Sequence, residues 1–114
     1  MKIAFLFWLF WLFWASMLAA PIASAQDGAA AASRGLFYAE RSCADCHGVT
    51  VDQKQSPNPA APTFVVIANT PGMTPMALNV WLHTSHPTMP NLIVDQARIA
   101  DLAAYVRTLK KKPN

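Results

Sequence analysis

The chain has 114 residues, 54% of them apolar, with nine basic and six acidic side chains and a formal net charge of +3. This length allows one small domain, and the low charge gives no reason to expect a nucleic-acid partner. The chain contains two cysteines, and one site accounts for both.

The first 25 residues have the pattern of an export signal. Lys2 is a short positive n-region, residues 3–20 form an apolar run rich in Phe, Leu and Trp, and residues 23–25 form an A-x-A cleavage site. We therefore predict a cleaved signal peptide and a periplasmic domain over residues 26–114, without stable membrane insertion. The alternative is an uncleaved N-terminal anchor, because about twenty apolar residues can span a bilayer.

The domain that remains is small and weakly charged. Residues 26–114 keep eight basic and six acidic side chains, and we expect a monomer. A chain of this size buries a marginal core unaided, so a covalent prosthetic group at its centre would add apolar surface.

A short helix is predicted ahead of the first cysteine. Residues 26–32 are small and are expected to fray, whereas residues 33–42 have helical spacing of apolar side chains. Gly35 inside this helix costs about 1 kcal/mol relative to Ala, which suggests that a second helix crosses there. The alternative is a chance glycine near a frayed helix start.

The segment Cys43-Ala44-Asp45-Cys46-His47 has the C-x-x-C-H pattern of c-type haem attachment. Two thiols on one helical turn can each add to one vinyl group of the same porphyrin, and the adjacent imidazole can then bind the iron. The pattern predicts one haem c, covalently held by Cys43 and Cys46 with His47 as the proximal ligand.

Three other interpretations of the cysteine pair were weighed. A thioredoxin-like dithiol belongs in a βαβ setting, which the sequence does not show. In an exported chain the pair could instead form a disulfide. A zinc site would need four ligands, and His83 and His86 lack the i, i+4 spacing of a helical pair.

The middle of the chain predicts a loop and a helical turn. Gly48 suits a turn out of the motif, and prolines make residues 57–62 non-helical. We expect this loop beside the proximal histidine, with the carbonyl of Pro62 accepting from the free ring nitrogen of His47. Residues 63–68 predict a helical turn in which Phe64 faces the haem or, alternatively, packs in the core.

The next helix is predicted to start at Thr74 as N-cap with Pro75 at the first helical position, and to end near His83. Trp81 is the only tryptophan outside the leader, and we expect it in the core, although its indole N–H could reach a propionate. The face expected to be buried consists of Ala77, Leu78, Trp81 and Leu82.

Residues 85–91 predict a stiff, extended loop because they contain two prolines. A thioether suits haem iron and raises its potential relative to a second histidine. We favour Met89 in this loop as the distal ligand, because Met73 and Met76 sit at a helix start, where packing is the usual role of Met. His83 and His86 are the alternatives.

Asp95 begins a C-terminal helix as its N-cap. We expect Tyr105 on this helix to pack over Gly35. The lysines at 110–112 suit the negative end of the helix dipole, or alternatively an acidic redox partner. The apolar stripe consists of Ile99, Leu102, Ala103, Val106 and Leu109.

Together these features resemble the class I monohaem cytochromes c, a small bacterial periplasmic form. The resemblance rests on Gly35 and on residues 43–48, 61–64, 86–90 and 101–106. It implies an all-α cytochrome c fold in which the N- and C-terminal helices cross at a glycine–aromatic contact. It also implies thioethers from Cys43 and Cys46, axial His47 and Met89, and Pro62 accepting from His47. One departure is Ala39, where many members carry an aromatic residue.

The resemblance implies a periplasmic one-electron carrier between respiratory or dehydrogenase partners, and not an enzyme. The transfer surface would lie near Ala44 and residues 87–90. The alternative is a haem c electron-accepting subunit of a periplasmic oxidoreductase complex.

Overall fold

A computed structural model describes residues 21–84, 88–89 and 92–111, with side chains from residue 26 onward. Four helices lie within these residues, and none of the residues described belongs to a strand: α1 Pro21–Ser42, α2 Phe64–Asn69, α3 Pro75–His83 and α4 Gln96–Thr108. The all-α prediction is therefore confirmed. Residues 1–20 of the predicted leader and His86 lie outside the described residues.

Helix α1 is longer than the sequence pattern predicted. It begins at Pro21, and residues 26–32, which were expected to fray, are helical. Residues 29–32 are four alanines, the residue with the highest helix propensity, and proline is favoured at the first helical position. The prediction of a helix confined to residues 33–42 was wrong because it counted apolar periodicity and neglected propensity.

None of the helices within the described part of the chain is both long enough and apolar enough to cross a membrane. This includes α1, whose 22 residues span the bond after Ala25 where cleavage is predicted.

Helices α1 and α4 cross with their backbones in contact at Gly35. A Cβ atom on this glycine would overlap the carbonyl oxygen of Asp101 and lie 2.8 Å from Cβ of Tyr105. The predicted contact between Gly35 and Tyr105 is therefore confirmed, and the glycine is required by close approach. Ala39, one turn further along α1, is fully buried at the same crossing.

An ion pair that the sequence pattern did not predict joins the same two helices. The guanidinium of Arg34 donates two hydrogen bonds to the carboxylate of Asp101, at 3.0 Å and 2.7 Å. The carboxylate is buried while the guanidinium is half exposed. Two parallel bonds of this kind fix orientation as well as distance.

Each of the three shorter helices begins with a side chain that caps its N-terminus. The side chain of Thr63 accepts from the amide of Val66 in α2, and that of Thr74 accepts from the amide of Ala77 in α3. Asp95 accepts from the amide of Arg98 at the start of α4. These bonds satisfy amides that have no partner within the helix.

The core lies between α1, α2, α3 and α4, and the expected burial of Trp81 was wrong. Leu78 on α3 is buried, but Trp81 is 55% exposed. Its ring lines the cavity described below and does not pack between helices. The buried core cluster consists of Ala39, Val49, Phe64, Ala68, Leu78, Leu102, Ala103, Tyr105 and Val106.

Two polar side chains fasten the end of α4. The side-chain nitrogen of Asn69 donates to the carbonyl of Leu109 at 3.2 Å. Its side-chain oxygen accepts from the backbone amide of Lys111 at 2.9 Å. The ammonium of Lys110 donates to the carbonyl of Met73 at 2.9 Å. Lys110 thus has a defined partner ahead of α3, which the dipole interpretation of the lysine run did not foresee.

Candidate functional site

The cysteine motif continues directly from α1 as a further helical turn. The amide of Cys43 donates to the carbonyl of Ala39 at 2.9 Å, and the amides of Cys46 and His47 donate to the carbonyl of Cys43 at 3.1 Å and 2.9 Å. This winding places both cysteines in the wall of one cavity. The helix therefore sets the spacing of the two thiols.

The loop at residues 57–62 folds back against the motif. The amide of Asn58 donates to the carbonyl of Cys46 at 3.1 Å, and the amide of Phe64 donates to the carbonyl of Gly48 at 2.8 Å. Between these bonds the backbone turns, and the amide of Ala61 donates to the carbonyl of Asn58 at 3.0 Å. The loop is thereby attached to the motif on both sides of His47.

The orientation of His47 is set by Pro62 and Phe64. Nδ1 of the imidazole lies 2.7 Å from the carbonyl oxygen of Pro62, the contact that the sequence predicted. Because a carbonyl can only accept, Nδ1 carries the proton and Nε2 keeps its lone pair for a metal. The ring of Phe64 meets the imidazole edge-on, with centroids 5.6 Å apart.

The candidate site is a cavity of about 320 Å³ with largely apolar walls. All seven side chains that the sequence nominated line it, and none of the other described residues in its lining is charged. The full lining is Cys43, Cys46, His47, Asn58, Ala60, Ala61, Pro62, Phe64, Ile67, Thr70, Met73, Leu78, Trp81, Leu82, Thr88, Met89, Leu102 and Val106.

The candidate axial side chains are not all in this wall. Met89 and Met73 line the cavity, whereas Met76 is 70% exposed on α3. His83 is exposed, and its Nδ1 lies 2.8 Å from the carbonyl of Asn79 within its own helix. The structure therefore places Met73 and Met89 in the wall of the site, and His83 does not line it.

The chemistry of the two thiols disfavours the other interpretations of the motif. Both cysteines are free, and burial raises the pKa of the Cys43 thiol to about 11. Catalytic dithiols have lowered pKa values, so Cys43 is unsuited to exchange chemistry. In the described part of the chain, no three residues of the His, Cys, Asp and Glu types lie close enough together to hold a metal ion.

Sequence reasoning missed the residues that hold the backbone after His47. The side-chain oxygen of Gln53 accepts from the amides of Val49 and Thr50 at 2.7 Å and 2.9 Å. The amide of Gly48 donates to the hydroxyl of Ser56 at 2.9 Å. A polar side chain in an irregular stretch gives no periodic signal, so the pattern along the chain could not find these bonds.

Gly48 is required by close packing and not by the turn that the sequence predicted. In the described residues the only glycine with a positive φ is Gly72. A Cβ atom on Gly48 would lie 2.9 Å from the carbonyl oxygen of Gln55 and 3.0 Å from the methyl group of Thr63. Close approach of the loop therefore requires this glycine.

The residues present fit a haem c. The site offers two thiols, one imidazole with its Nε2 lone pair available, and the thioethers of Met73 and Met89, all in the wall of an apolar cavity. Imidazole and thioether are the ligand pair of electron-carrying c-type haems, and an apolar surrounding suits the porphyrin.

Comparison with known proteins finds one similar c-type cytochrome. The chain is similar to cytochrome c-552 of Bradyrhizobium diazoefficiens, with 32% identity over 94 residues that cover 82% of this chain and 89% of that protein. No family model and no solved structure matches the chain.

Proposed function

This chain belongs to the small monohaem c-type cytochromes, and on that premise we propose that it is a periplasmic one-electron carrier with a single covalent haem c. The observation that carries the proposal is the convergence of Cys43, Cys46, His47 and Met89 on one apolar cavity. When bound, the haem supplies reversible one-electron chemistry at its iron.

Cys43 and Cys46 have the role of covalent attachment. Each S–H adds across one vinyl double bond, forming one carbon–sulfur bond while the hydrogen goes to the other vinyl carbon. The addition is balanced without an oxidant. Burial raises the pKa of the Cys43 thiol to about 11, and the helical turn places both cysteines in the wall of the cavity.

His47 and Met89 have the role of axial ligands. The bond to Pro62 fixes the tautomer of His47 and makes its Nε2 more basic. Met89 supplies a neutral sulfur, which raises the reduction potential relative to a second imidazole. With His47 and Met89 both holding the iron, no ligand position would remain for a substrate, and we propose that the protein is not an enzyme.

The cavity wall has the role of excluding water. Its lining contains no charged side chain, so the surroundings favour the less charged, reduced state of the site and raise its potential. This arrangement suits a carrier that exchanges electrons with respiratory or dehydrogenase partners.

The decisive experiment is the intact mass of the protein exported from a host that matures c-type cytochromes. We expect a chain that starts at Gln26 and carries the added mass of one haem. The Cys43→Ser/Cys46→Ser variant should start at the same residue without the added mass. A wild-type protein that releases its haem into acid acetone would overturn covalent attachment.

One observation favours the alternative of an electron-accepting subunit in a periplasmic oxidoreductase. Met76 and Val80 lie one turn apart on α3, are 70% and 57% exposed and do not line the cavity, and exposed apolar side chains that lie together are often covered at protein interfaces. Co-purification with a catalytic chain at fixed stoichiometry would support this alternative. Isolation as a free monomer with full haem content supports the diffusing carrier.

A further inference from the structure

A second hollow lies between the start of α3 and the end of α4, apart from the cysteine motif. It has a volume of about 110 Å³. Its lining includes the apolar residues Leu78, Ala103 and Val106 and the basic residues Arg107 and Lys110.

This hollow shares a wall with the haem cavity. Met73, Leu78 and Val106 line both of them. One layer of side chains therefore separates a group seated in the hollow from the cavity. A partner bound here would lie close to the redox centre without approaching through the Met89 loop.

The described surface around the hollow is basic. Arg107, Lys110 and Lys111 lie at the end of α4 and are exposed. Among the described residues, the side chains of Arg107 and Lys111 form no ion pair, and no acidic residue lines the hollow. Asp101, two turns earlier on α4, is already paired with Arg34. Unpaired cations on one face attract and orient an acidic partner.

The size of the hollow indicates what it can hold. An engineered apolar cavity of about 150 Å³ binds benzene, so 110 Å³ suits one aliphatic side chain and is too small for a lipid acyl chain. Interfaces commonly combine one buried apolar anchor with charged contacts around it.

We propose that this hollow is a docking site for an acidic segment of a redox partner, with one aliphatic side chain in the hollow and carboxylates paired with Arg107, Lys110 and Lys111. That the partner is a redox protein rests on the proposed function, whereas the docking surface itself does not. Because the ion pairs are exposed, binding weakens as salt is added.

The test is a titration, under reducing conditions, of the protein exported from a host that matures c-type cytochromes with the peptide acetyl-Asp-Glu-Leu-Glu-Asp-amide, followed by NMR of the backbone amides. The largest shifts should fall on Met73, Leu78, Val106 and Arg107. Replacing the central leucine by alanine removes most of the apolar anchor and should weaken binding about tenfold.

Two double variants with the same change in net charge distinguish binding at the hollow from general electrostatic attraction. Arg107→Gln/Lys111→Gln should weaken binding about tenfold, because it removes two ion pairs of up to about 1 kcal/mol each. Arg41→Gln/Lys54→Gln makes the same change in net charge on exposed residues outside the hollow and should weaken binding less than about twofold. Lys110 is left in place because it also holds Met73.

Three outcomes would overturn the docking site: shifts that map elsewhere, equal weakening by the two double variants, or equal binding of the leucine and alanine peptides. Binding to phosphatidylglycerol vesicles without peptide binding would assign the basic face to membranes and also refute the proposal. The intact mass of the same sample reports haem. Peptide binding without haem would overturn only the proposed function, and haem without peptide binding would overturn only the docking site.

Discussion

The hydroxyl of Tyr105 donates a 2.7 Å hydrogen bond to the carbonyl oxygen of Val49. Tyr105 lies on α4 and is 7% exposed, and Val49 follows His47 by two residues and is 2% exposed. This bond joins the crossing of the terminal helices to the segment that leaves the candidate site. The fold and the site are therefore coupled through one buried polar contact.

Tyr105→Phe should lower the free energy of unfolding by about 1–3 kcal/mol, because it leaves the buried Val49 carbonyl without a donor. Chemical unfolding of the haem-loaded protein measures the loss. Tyr38→Phe is the matched control, since the Tyr38 hydroxyl makes no hydrogen bond within the described residues, and it should change stability by less than about 0.5 kcal/mol. Equal losses for the two variants would contradict this role of the Tyr105 hydroxyl.

Gly35→Ala should destabilise the protein by about 3 kcal/mol or more, because the new methyl group meets the backbone of Asp101, which cannot move aside. The same unfolding measurement applies. Gly28→Ala, in the same helix but with no atom within 4 Å of the added Cβ, should be neutral or stabilising by up to about 1 kcal/mol. If both substitutions had the same effect, the helix crossing would not depend on Gly35.

Arg34→Gln should remove a pH-dependent part of the stability. The hydrogen bonds from Arg34 hold the pKa of Asp101 below its ordinary value. A lowered folded-state pKa stabilises the protein above the unfolded value of about 3.9, and this stabilisation is lost as pH falls through the folded pKa. The variant should therefore be less stable than wild type at pH 7, and the difference should shrink below about pH 4.

Unfolding midpoints of both proteins between pH 7 and pH 2.5 test this prediction. Arg98→Gln is the control, because the pair of Arg98 with Asp95 is exposed and 4.0 Å long, and such pairs contribute about 0–1 kcal/mol. A stability difference between wild type and Arg34→Gln that stays constant down to pH 2.5 would show that the ion pair does not titrate as described.

The parts of the fold that the sequence predicted are those determined locally. Thr74 and Asp95 were identified as helix N-caps because a cap depends on neighbouring residues alone. The pairing of Arg34 with Asp101 spans 67 positions and has no local signal. The length of α1 was missed because a run of alanines favours a helix without creating an apolar stripe.

In the candidate site too, some residues are predicted by the local sequence and others depend on the folded chain. Cys43, Cys46 and His47 follow from the spacing of one short motif, and Pro62 follows from a proline loop that cannot be helical. Trp81 was placed in the core because an amphipathic pattern marks a face turned inward without distinguishing packed core from cavity wall. The hydrogen bonds of Gln53 depend on the folded loop and could not be read from the pattern.

The choice of Met89 as the distal ligand gives the last prediction. Met89→Ala should abolish the weak iron–sulfur charge-transfer band of the oxidised protein and lower its reduction potential, because the neutral thioether that favours the reduced state is lost. Met73→Ala and Met76→Ala should leave both nearly unchanged. Absorption spectroscopy and redox titration of the three haem-loaded variants provide the measurements.

Met73 is the more demanding control, because it lines the cavity as Met89 does, whereas Met76 is exposed on α3. A band that survives Met89→Ala but disappears in Met73→Ala would transfer the ligand to Met73. A wild-type protein without the band would point to a second histidine. Since His83 is exposed and does not line the cavity, His86→Ala would then be the variant that changes the spectrum.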